Sequence, residues 1–224
     1  MLQSEDKGFD IVPRVFGTGE VDHILAVLPA RDARRARAGS RHLLSTPVIN
    51  SLASDPRLLE IAASFLGQHA VPFRATLFDK SDARNWLVVW HQDTALPIRH
   101  TRDVPGWGPW SVKAGIAYAH APTVALSQVV ALRIHLDDSN AANGPLRVLP
   151  GTHRLGVLTD VAIRQLAMQM APVDCLVGRG GILAMKPLLI HASSKSTSRV
   201  PRRVIHVEYA SCFELGSGLE LAVA

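Results

Sequence analysis

The residues best suited to chemistry in this sequence are a histidine and an aspartate at the end of an apolar run. His91 and Asp93 lie in the tetrapeptide Trp90-His91-Gln92-Asp93. Because side chains two apart on a strand point to the same face, they project together if this run is a strand. An imidazole and a carboxylate held in this way are two ligands of a 2-His-1-carboxylate facial triad, which binds Fe(II) and leaves positions open for co-substrate and O2. A hydrogen-bonded pair at a strand end is the structural alternative.

A third ligand would have to be a distant histidine, and the chain has ten histidines. His191 is the strongest candidate because it ends an apolar run, as His91 does, and the small residues after it leave room beside a metal. His135 and His206 lie inside predicted strands, where hydrogen bonding to the backbone is common. The sequence favours His191 as the third ligand and leaves the other histidines open.

The chemistry of such a triad also requires a cation. If the open metal positions hold the 2-oxo-acid end of 2-oxoglutarate, the distal carboxylate of this molecule needs a partner inside the fold. A guanidinium meets a carboxylate through two hydrogen bonds. Arg202 and Arg203 lie downstream of His191, at the start of a run that resembles a core strand.

Two amphipathic helices precede these residues. Apolar residues recur at helical spacing over 19–28, with Thr18 available as the N-cap. The second helix is marked at both ends, because Asp55 can cap it, Pro56 suits its first position and Gly67 can end it. Both helices are expected to be scaffold.

From residue 71 onward the hydrophobic pattern changes to short β-type runs separated by turn residues. We predict one domain over 1–224, with a helical part at about 1–68 and a jelly-roll core at about 70–212. Short strands after two helices predict a mainly β fold with flanking helices, either a β-sandwich or a jelly roll with helices packed on one sheet. A further helix is predicted near 160–170. The predicted strands are 73–78, 86–91, 129–136, 146–149, 181–185, 189–192 and 204–209.

The longest connection between predicted strands covers 94–128, and we expect it to be irregular. Long loops in compact domains are commonly lids or binding loops. Its candidate substrate-binding residues are Trp107, Trp110 and Lys113, and its basic residues could hold the anionic end of an apolar substrate. We also expect residues 96–109 to be mobile and to close over the metal when substrate binds.

The composition indicates a globular chain. Of the 224 residues, 47% are hydrophobic and 19% are charged, without a low-complexity tract. No apolar run approaches the roughly 18 residues of a membrane span, and the first residues lack a signal-peptide pattern, so we expect a cytoplasmic protein without a membrane partner. Two distant cysteines are too few for a disulfide framework or a zinc motif. Nothing in the pattern indicates an oligomeric state.

The formal net charge of +5 and the pI near 9.7 would suit nucleic-acid binding. No aromatic residues that could stack bases interleave with the main basic cluster, so a solvated helix face is the better interpretation. We therefore expect a small-molecule substrate and no nucleic-acid partner. The cluster consists of Arg31, Arg34, Arg35, Arg37 and Arg41.

Four blocks follow one another along the chain: Trp90-His91-Gln92-Asp93, then Leu136-Asp137-Asp138, then Asn143-Gly144-Pro145-Leu146-Arg147-Val148-Leu149-Pro150-Gly151-Thr152-His153, then His191-Ala192-Ser193 with Arg202. Together they resemble the phytanoyl-CoA dioxygenase family of Fe(II)- and 2-oxoglutarate-dependent oxygenases. The resemblance covers about 55–210. Any one block alone would not be specific, whereas the four in this order are.

The resemblance implies a double-stranded β-helix, which is a cupin-like jelly roll. It also implies a dioxygenase that uses Fe(II), 2-oxoglutarate and O2 to hydroxylate a small-molecule metabolite, with release of succinate and carbon dioxide. The implied iron ligands are His91, Asp93 and His191. The implied contacts of 2-oxoglutarate are Arg202, which pairs with the distal carboxylate, and Ser193, Thr76 and Arg133.

Two further features have a functional and a structural interpretation. Lys80 fits a recurring position of the family, but it is equally well explained as an exposed lysine at a strand end. The block 143–153 suits a tight turn between core strands, and we assign it no chemistry.

Pattern and resemblance at first disagree about which of two neighbouring arginines faces the site. Alternation places Arg203 on the same strand face as the apolar residues Ile205, Val207 and Tyr209, which favours Arg203 as the buried residue. In a jelly roll with helices outside, however, the apolar face packs on those helices and the more polar face lines the pocket. We therefore predict that Arg202 faces the metal.

Three other functions are possible for this set of residues besides an oxygenase of small molecules. A halogenase on the same scaffold needs a vacant carboxylate position, which Asp93 fills. An oxygenase acting on nucleic acid would explain the pI, but the chain lacks a clear base-stacking segment. A non-enzymatic jelly-roll binding module would have no reason to keep His91, Asp93, His191 and Arg202 together.

Overall fold

The structure is a computed structural model, which describes residues 4–28, 39–67, 69–81, 85–216 and 218–224. None of the helices in these ranges is long and apolar enough to cross a membrane. The helices are α1 (Ser4–Lys7), α2 (Thr18–Val27), α3 (Pro47–Ala53), α4 (Pro56–Leu66), α5 (Thr123–Leu126) and α6 (Asp160–Gln169), with 3-10 turns at Leu43–Ser45 and Thr152–Leu155. The strands are β1 (Phe9–Val12), β2 (Val71–Lys80), β3 (Val88–His91), β4 (Ala95–Ile98), β5 (Trp110–Lys113), β6 (Ile116–His120), β7 (Val129–His135), β8 (Leu146–Val148), β9 (Val173–Cys175), β10 (Ile182–Met185), β11 (His191–Ser193) and β12 (Arg202–Ala210).

The strands form three antiparallel sheets. The five-stranded sheet has the order β1-β10-β7-β12-β2, and the four-stranded sheet has the order β3-β11-β8-β9. Side chains from both sheets line a common cavity. The third sheet, β4-β6-β5, is smaller. The architecture is a cupin-like jelly roll with helices packed on the larger sheet, which confirms the predicted fold class.

The predicted scaffold helices form as α2 and α4. The Asp55 carboxylate accepts a 2.9 Å hydrogen bond from the Arg57 amide, Pro56 begins α4, and Gly67 ends it at a φ of +93°. The predicted cap of α2 is wrong by one residue, because Thr18 begins the helix and Gly17 is the N-cap. Both helices, together with α3, bury their apolar faces in one core.

That core lies against the outer face of the five-stranded sheet, and β12 shows how the sheet divides its side chains. Ile205, Val207 and Tyr209 pack outward into the helical core. Alternate residues of the same strand, including Arg202 and His206, line the cavity on the inner face. The helices therefore decide which face of β12 is the packed one, as the jelly-roll argument predicts for Arg202.

The prediction of an irregular connection over 94–128 is wrong. This segment contains β4, β5, β6 and α5, and its strands pair with one another in an antiparallel sheet. The segment that we expected to be mobile, 96–109, begins with Leu96 and Ile98, each only 1% exposed in an apolar core cluster. The strands have only four or five residues each and lie among turn residues, so each is too short to show a clear hydrophobic alternation in the sequence.

A buried hydroxyl joins β12 to the helical layer, and its removal should be costly. The Tyr209 hydroxyl donates a 2.9 Å hydrogen bond to the Ala53 carbonyl at the end of α3. We expect Tyr209→Phe to lower the free energy of unfolding by about 1 to 2 kcal/mol, because it leaves that carbonyl without this donor. Urea denaturation followed by circular dichroism measures the loss.

A matched control is Ser45→Ala, which removes an exposed hydroxyl donating to the His42 carbonyl at 3.2 Å. This change should cost less than about 0.5 kcal/mol, as is usual for exposed positions. Equal losses in the two variants would contradict a specific contribution of the Tyr209 hydrogen bond.

Candidate active site

A cavity of about 640 Å³ lies between the five-stranded and four-stranded sheets. The inner faces of β2, β7 and β12 form one wall, and β3 and β11 form the opposite wall. His91, Asp93 and His191 line it, together with Arg202, Ser193, Thr76 and Arg133. The cavity thus brings together the sequence-predicted metal and co-substrate residues.

His91, Asp93 and His191 converge at the four-stranded sheet. Each offers a potential ligand atom, and these three atoms lie within 4.8 Å of one another. The two histidines are direct cross-strand partners, with ring centroids 4.2 Å apart. The Asp93 carboxylate lies beside both imidazoles, 3.6 Å from Nε2 of His91 and 3.4 Å from Nε2 of His191. No other group of three such residues occurs in the described part of the chain.

The two imidazoles are held in the same way. Nδ1 of His91 lies 2.8 Å from the Val89 carbonyl, and Nδ1 of His191 lies 2.9 Å from the Leu189 carbonyl. A carbonyl only accepts hydrogen bonds, so each Nδ1 must carry the proton. In a neutral ring this leaves the Nε2 lone pair free and directed toward Asp93, which is the tautomer that a metal-binding histidine needs.

Burial and mutual attraction oppose each other in these three residues. Burial lowers the pKa of His191 to about 4, so its imidazole is neutral at pH 7. Burial acts to lower the pKa of His91 as well, but Asp93 outweighs it and the pKa is raised. For Asp93 burial raises the pKa, yet the two histidines outweigh that effect and hold it well below the usual range. A neutral His191 and an ionised Asp93 are the forms that bind a metal ion.

The sequence placed His191 at the end of a strand, but it begins β11. This strand is short because the chain turns at 186–189, where the Leu189 amide donates to the Lys186 carbonyl. Thr152 holds the approach to the strand: its hydroxyl donates to the Leu149 carbonyl at 2.8 Å and accepts from the Ile190 amide at 3.0 Å. Thr152 belongs to the block to which we assigned no chemistry.

Three buried cations lie at one end of the cavity and are here called the cation cluster: Arg133 and Arg202, which line the cavity, and Lys80, which lies beside Arg202 outside the lining. Arg133, Arg202 and Lys80 are 7%, 4% and 1% exposed, and Lys80 and Arg202 are neighbours across β2 and β12. Within the described residues, none of them forms an ion pair with a carboxylate, and Nη1 of Arg202 and Nε of Arg133 have no hydrogen-bond partner. Lys80 is therefore not the exposed strand-end lysine of the structural interpretation.

Crowding of like charges is visible in the pKa values of the cation cluster. Burial, together with Arg202 and Arg133, lowers the pKa of Lys80 to about 8. Burial, together with Arg133, also lowers the pKa of Arg202. Unpaired buried charges cost several kcal/mol each in order of magnitude, so this arrangement favours an anion that would bind among them.

The Asn-Gly turn of the block 143–153 supports this cluster through its backbone. The Asn143 carbonyl accepts from Nε of Arg202 at 3.2 Å, and the Gly144 carbonyl accepts from the Ser193 hydroxyl at 2.9 Å. Lys80 in turn donates to the Ser193 hydroxyl at 2.8 Å. Gly144 has a φ of +66°, and a Cβ there would lie 2.4 Å from the Ser194 carbonyl oxygen. Sequence reasoning missed this role, which depends on backbone atoms.

The two strand histidines are not bonded to the backbone through their rings as we expected. His206 is 5% exposed, and its Nδ1 accepts from Nη1 of Arg133 at 3.1 Å. His135 is 1% exposed, and neither of its ring nitrogens has a partner within the described residues. Burial, with Arg133 and Arg202 nearby, holds the pKa of His135 well below its usual value, so the ring stays neutral.

Glu208 and Arg74 form a buried ion pair on the same wall of the cavity. The two residues are cross-strand neighbours, and the guanidinium donates to both carboxylate oxygens, from Nη2 at 2.5 Å and also from Nε. Arg74 also donates to the Ala95 carbonyl at 3.1 Å. The pair is locally neutral, in contrast to the cation cluster.

The three candidate substrate-loop residues separate in the structure. Lys113 lines the cavity. Trp107 and Trp110 are outside the lining and pack against the apolar cluster of the three-stranded sheet, so the structure does not bring them to the cavity. Of the basic N-terminal cluster, Arg31, Arg34, Arg35 and Arg37 lie outside the described residues, whereas Arg41 is exposed and lines the cavity.

Comparison with known proteins agrees with this geometry. An ectoine dioxygenase of Bordetella parapertussis is 25% identical over 92% of this chain and 73% of its own length. An L-proline trans-4-hydroxylase of Streptomyces griseoviridis is 25% identical over 69% of this chain and 59% of its own length. The crystal structure of the epimerase SnoN in complex with Fe3+, alpha ketoglutarate and nogalamycin RO has the same fold, with a TM-score of 0.73, 17% identity and coverage of 94% of this chain and 82% of that one.

A family model provides the assignment. The model described as phytanoyl-CoA dioxygenase matches residues 25–204. That span includes the His91, Asp93 and His191 group, the cation at Arg202 and the turn between β7 and β8. The chain therefore belongs to the phytanoyl-CoA dioxygenase family.

Proposed function

We propose that this protein is an Fe(II)- and 2-oxoglutarate-dependent dioxygenase that hydroxylates a small molecule. The observation that carries the proposal is that a candidate facial triad lines the same cavity as Arg133 and Arg202, two buried cations with no carboxylate partner in the described part of the chain. The two curated relatives, an ectoine dioxygenase and a proline hydroxylase, act on small molecules, which supports the substrate class.

The triad fits an iron ion by its donor set and its protonation. Two imidazoles and one carboxylate are the ligands of non-haem Fe(II) oxygenases, and their arrangement leaves positions open for co-substrate and oxygen. Here both imidazoles direct Nε2 toward the carboxylate, because their Nδ1 protons are donated to Val89 and Leu189. We assign the metal to His91, Asp93 and His191.

The cation cluster fits the distal carboxylate of 2-oxoglutarate. The buried Nη1 of Arg202 has no hydrogen-bond partner among the residues that the structure describes, so a carboxylate could accept from it without breaking any of their bonds. Ser193 and Lys80 are already hydrogen-bonded to each other beside it. Thr76 lies across from His206 in the paired strands, between this cluster and Glu208. We assign the co-substrate to Arg202, Ser193, Thr76 and Arg133, with Lys80 as an additional cation.

In this mechanism the chain itself holds the metal, orients the co-substrate and limits the access of water. When bound, iron and 2-oxoglutarate activate O2 for hydroxylation, with release of succinate and carbon dioxide. His91, Asp93 and His191 fix the metal on one wall, while Arg202 orients the co-substrate from the other. Arg133, Arg202 and His206 are buried on that other wall, which limits the access of water to groups bound beside them. No protein nucleophile or general base is required.

Removing any candidate ligand should remove the metal. We expect His91→Ala, Asp93→Ala and His191→Ala each to weaken Fe(II) binding by at least about 100-fold, because two remaining ligands hold the ion poorly. Anaerobic calorimetric titration with Fe(II) measures this directly. The control is His153→Ala, a histidine outside the cavity lining, which should bind iron like the unchanged protein. Full affinity in His191→Ala would refute the third ligand.

Neighbouring arginines provide a sharper test of the co-substrate site. Arg202 is buried in the cavity, whereas Arg203 is on the opposite face, where it donates to the Asp137 carboxylate at 2.7 Å. Arg202→Ala should weaken 2-oxoglutarate binding by roughly 100-fold, as expected for losing a charge-assisted pair of about 2 to 3 kcal/mol. Arg203→Ala should change it little. Titration of each variant with 2-oxoglutarate at fixed Fe(II) decides, and a larger defect in Arg203→Ala contradicts the assignment.

The depressed pKa of Lys80 gives a pH dependence. With a pKa of about 8, its ammonium is present below that pH and is lost as the pH rises through it. Affinity for dianionic 2-oxoglutarate should therefore fall between pH 7 and pH 9. Calorimetry with a redox-inert divalent metal measures this trend. In Lys80→Met the affinity should be lower at pH 7 and nearly constant to pH 9, and equal slopes in both proteins would rule out Lys80 as the titrating group.

A further inference from the structure

Residues on the inner face of β12 mark positions along the length of the cavity. Arg202 and Glu208 are six residues apart on this strand, which corresponds to roughly 20 Å at about 3.3 Å per residue. Lys80 lies opposite Arg202, and Arg74 lies opposite Glu208. His206 lies between them. The cavity therefore has an Arg202 end, assigned above to the co-substrate, and a Glu208 end that the proposed function does not use.

Tyr118 contacts several of the polar side chains at the Glu208 end. Its ring is 1% exposed, with the Arg74 guanidinium 5.6 Å and the Lys113 ammonium 4.6 Å from the ring centroid. Its hydroxyl is 2.8 Å from Nε2 of His42, the residue after Arg41. These contacts place Lys113 and Arg41, here called the outer cation pair, at the end of the cavity remote from Arg202.

The outer cation pair differs from Arg74 in its charge partners. Arg74, the other cation at this end, is already paired with Glu208 through two hydrogen bonds. Neither Lys113 nor Arg41 forms an ion pair with a carboxylate in the described part of the chain, although both line the cavity. Lys113 is half-buried, so its ammonium has lost part of its hydration.

The net charge of the cavity also favours an anionic ligand. Among the described lining residues five are cationic and two are carboxylates, so the walls carry three more positive than negative charges when the histidines are neutral. A divalent metal and a dianionic co-substrate cancel each other and leave this excess unchanged. A cavity with such an excess concentrates anions.

The wall beside the metal is apolar and exposed. Leu87 and Val89 line the cavity, although they are 57% and 68% exposed to solvent. Large apolar side chains that face an open cavity commonly cover an apolar part of a ligand. This wall belongs to the same segment as His91, so a ligand that covers it lies next to the candidate metal site.

We propose that the substrate is an amphipathic organic anion, whose carboxylate or phosphate group binds Lys113 and Arg41 while its apolar body lies on Leu87 and Val89. The proposal rests on the proposed function, because it assumes that the Arg202 end is occupied by 2-oxoglutarate. Held in this way, the substrate spans the distance from the outer cation pair to the metal. Tyr118 is then a positioning residue for Lys113.

The test measures binding of a matched series of probes to protein loaded anaerobically with Fe(II) and saturated with 2-oxoglutarate. The probes are straight-chain carboxylates and alkyl phosphates of four to twelve carbons, with the uncharged amides of the same lengths. Calorimetry should show at least one anion binding about tenfold or more tightly than its amide. The carboxylate and phosphate arms identify which anionic group the site prefers.

Single substitutions show where on the protein the anionic probe binds. Lys113→Gln should remove most of the preference for the anion, and Arg41→Gln should reduce it. Lys195→Gln, which removes the same charge from an exposed position outside the cavity lining, should leave it unchanged. Equal binding of anion and amide, a preference that survives Lys113→Gln, binding only by displacement of 2-oxoglutarate, or no anion binding at all would each overturn the proposal.

Loading with iron and 2-oxoglutarate is measured first, so the two proposals fail separately. If neither binds, the proposed function is wrong. The anion series is then titrated into the unloaded protein, where dependence on Lys113 still decides whether the Glu208 end binds an organic anion.

Discussion

The site depends on the antiparallel pairing of β12 with β2 and β7. This pairing fixes which side chains of the central strand face the helices and which face the cavity, and a shift by one residue would exchange the two sets. The apolar residues Ile205, Val207 and Tyr209 can pack only against the helical layer. Their burial therefore holds Arg202 and His206 inside the cavity, so packing outside the sheet sets the chemistry inside it.

Local pattern was sufficient for part of this arrangement. The His91 and Asp93 spacing and the ends of α4 follow from short-range rules that involve neighbouring residues. The face of Arg202 required the jelly-roll architecture as well, because alternation alone favoured Arg203 as the buried residue. The strands within 94–128 could not be predicted in this way. Each has only four or five residues, which is too few to show a hydrophobic alternation clearly, and they pair with one another. Trp107 and Trp110 pack against an apolar cluster that includes residues of this small sheet, so their position could not be predicted without it.

The sequence left the role of Lys80 open between a functional and a structural interpretation, and it gave no role to the Asn-Gly turn. Lys80 is held by the Ser193 hydroxyl and the Ser194 carbonyl, more than a hundred positions away. The turn acts through the carbonyls of Asn143 and Gly144, which every residue type possesses. What the sequence does carry is a constraint on Gly144, because its positive φ and the close Ser194 carbonyl exclude a side chain. A required glycine of this kind indicates that another part of the chain lies close to its backbone, but it does not identify that part.

The two ends of the cavity treat charge differently, and the difference has a physical reason. At the Glu208 end, Arg74 has a carboxylate partner from its own fold, which offsets the cost of burying both groups. At the Arg202 end, the hydrogen-bond partners that the three cations have among the described residues are neutral, so their like charges repel one another. Binding a carboxylate there relieves that repulsion in addition to forming new hydrogen bonds. The mutual repulsion of these cations would therefore favour an anion among them, and the Asn143 and Gly144 carbonyls help to hold Arg202 and Ser193 in place.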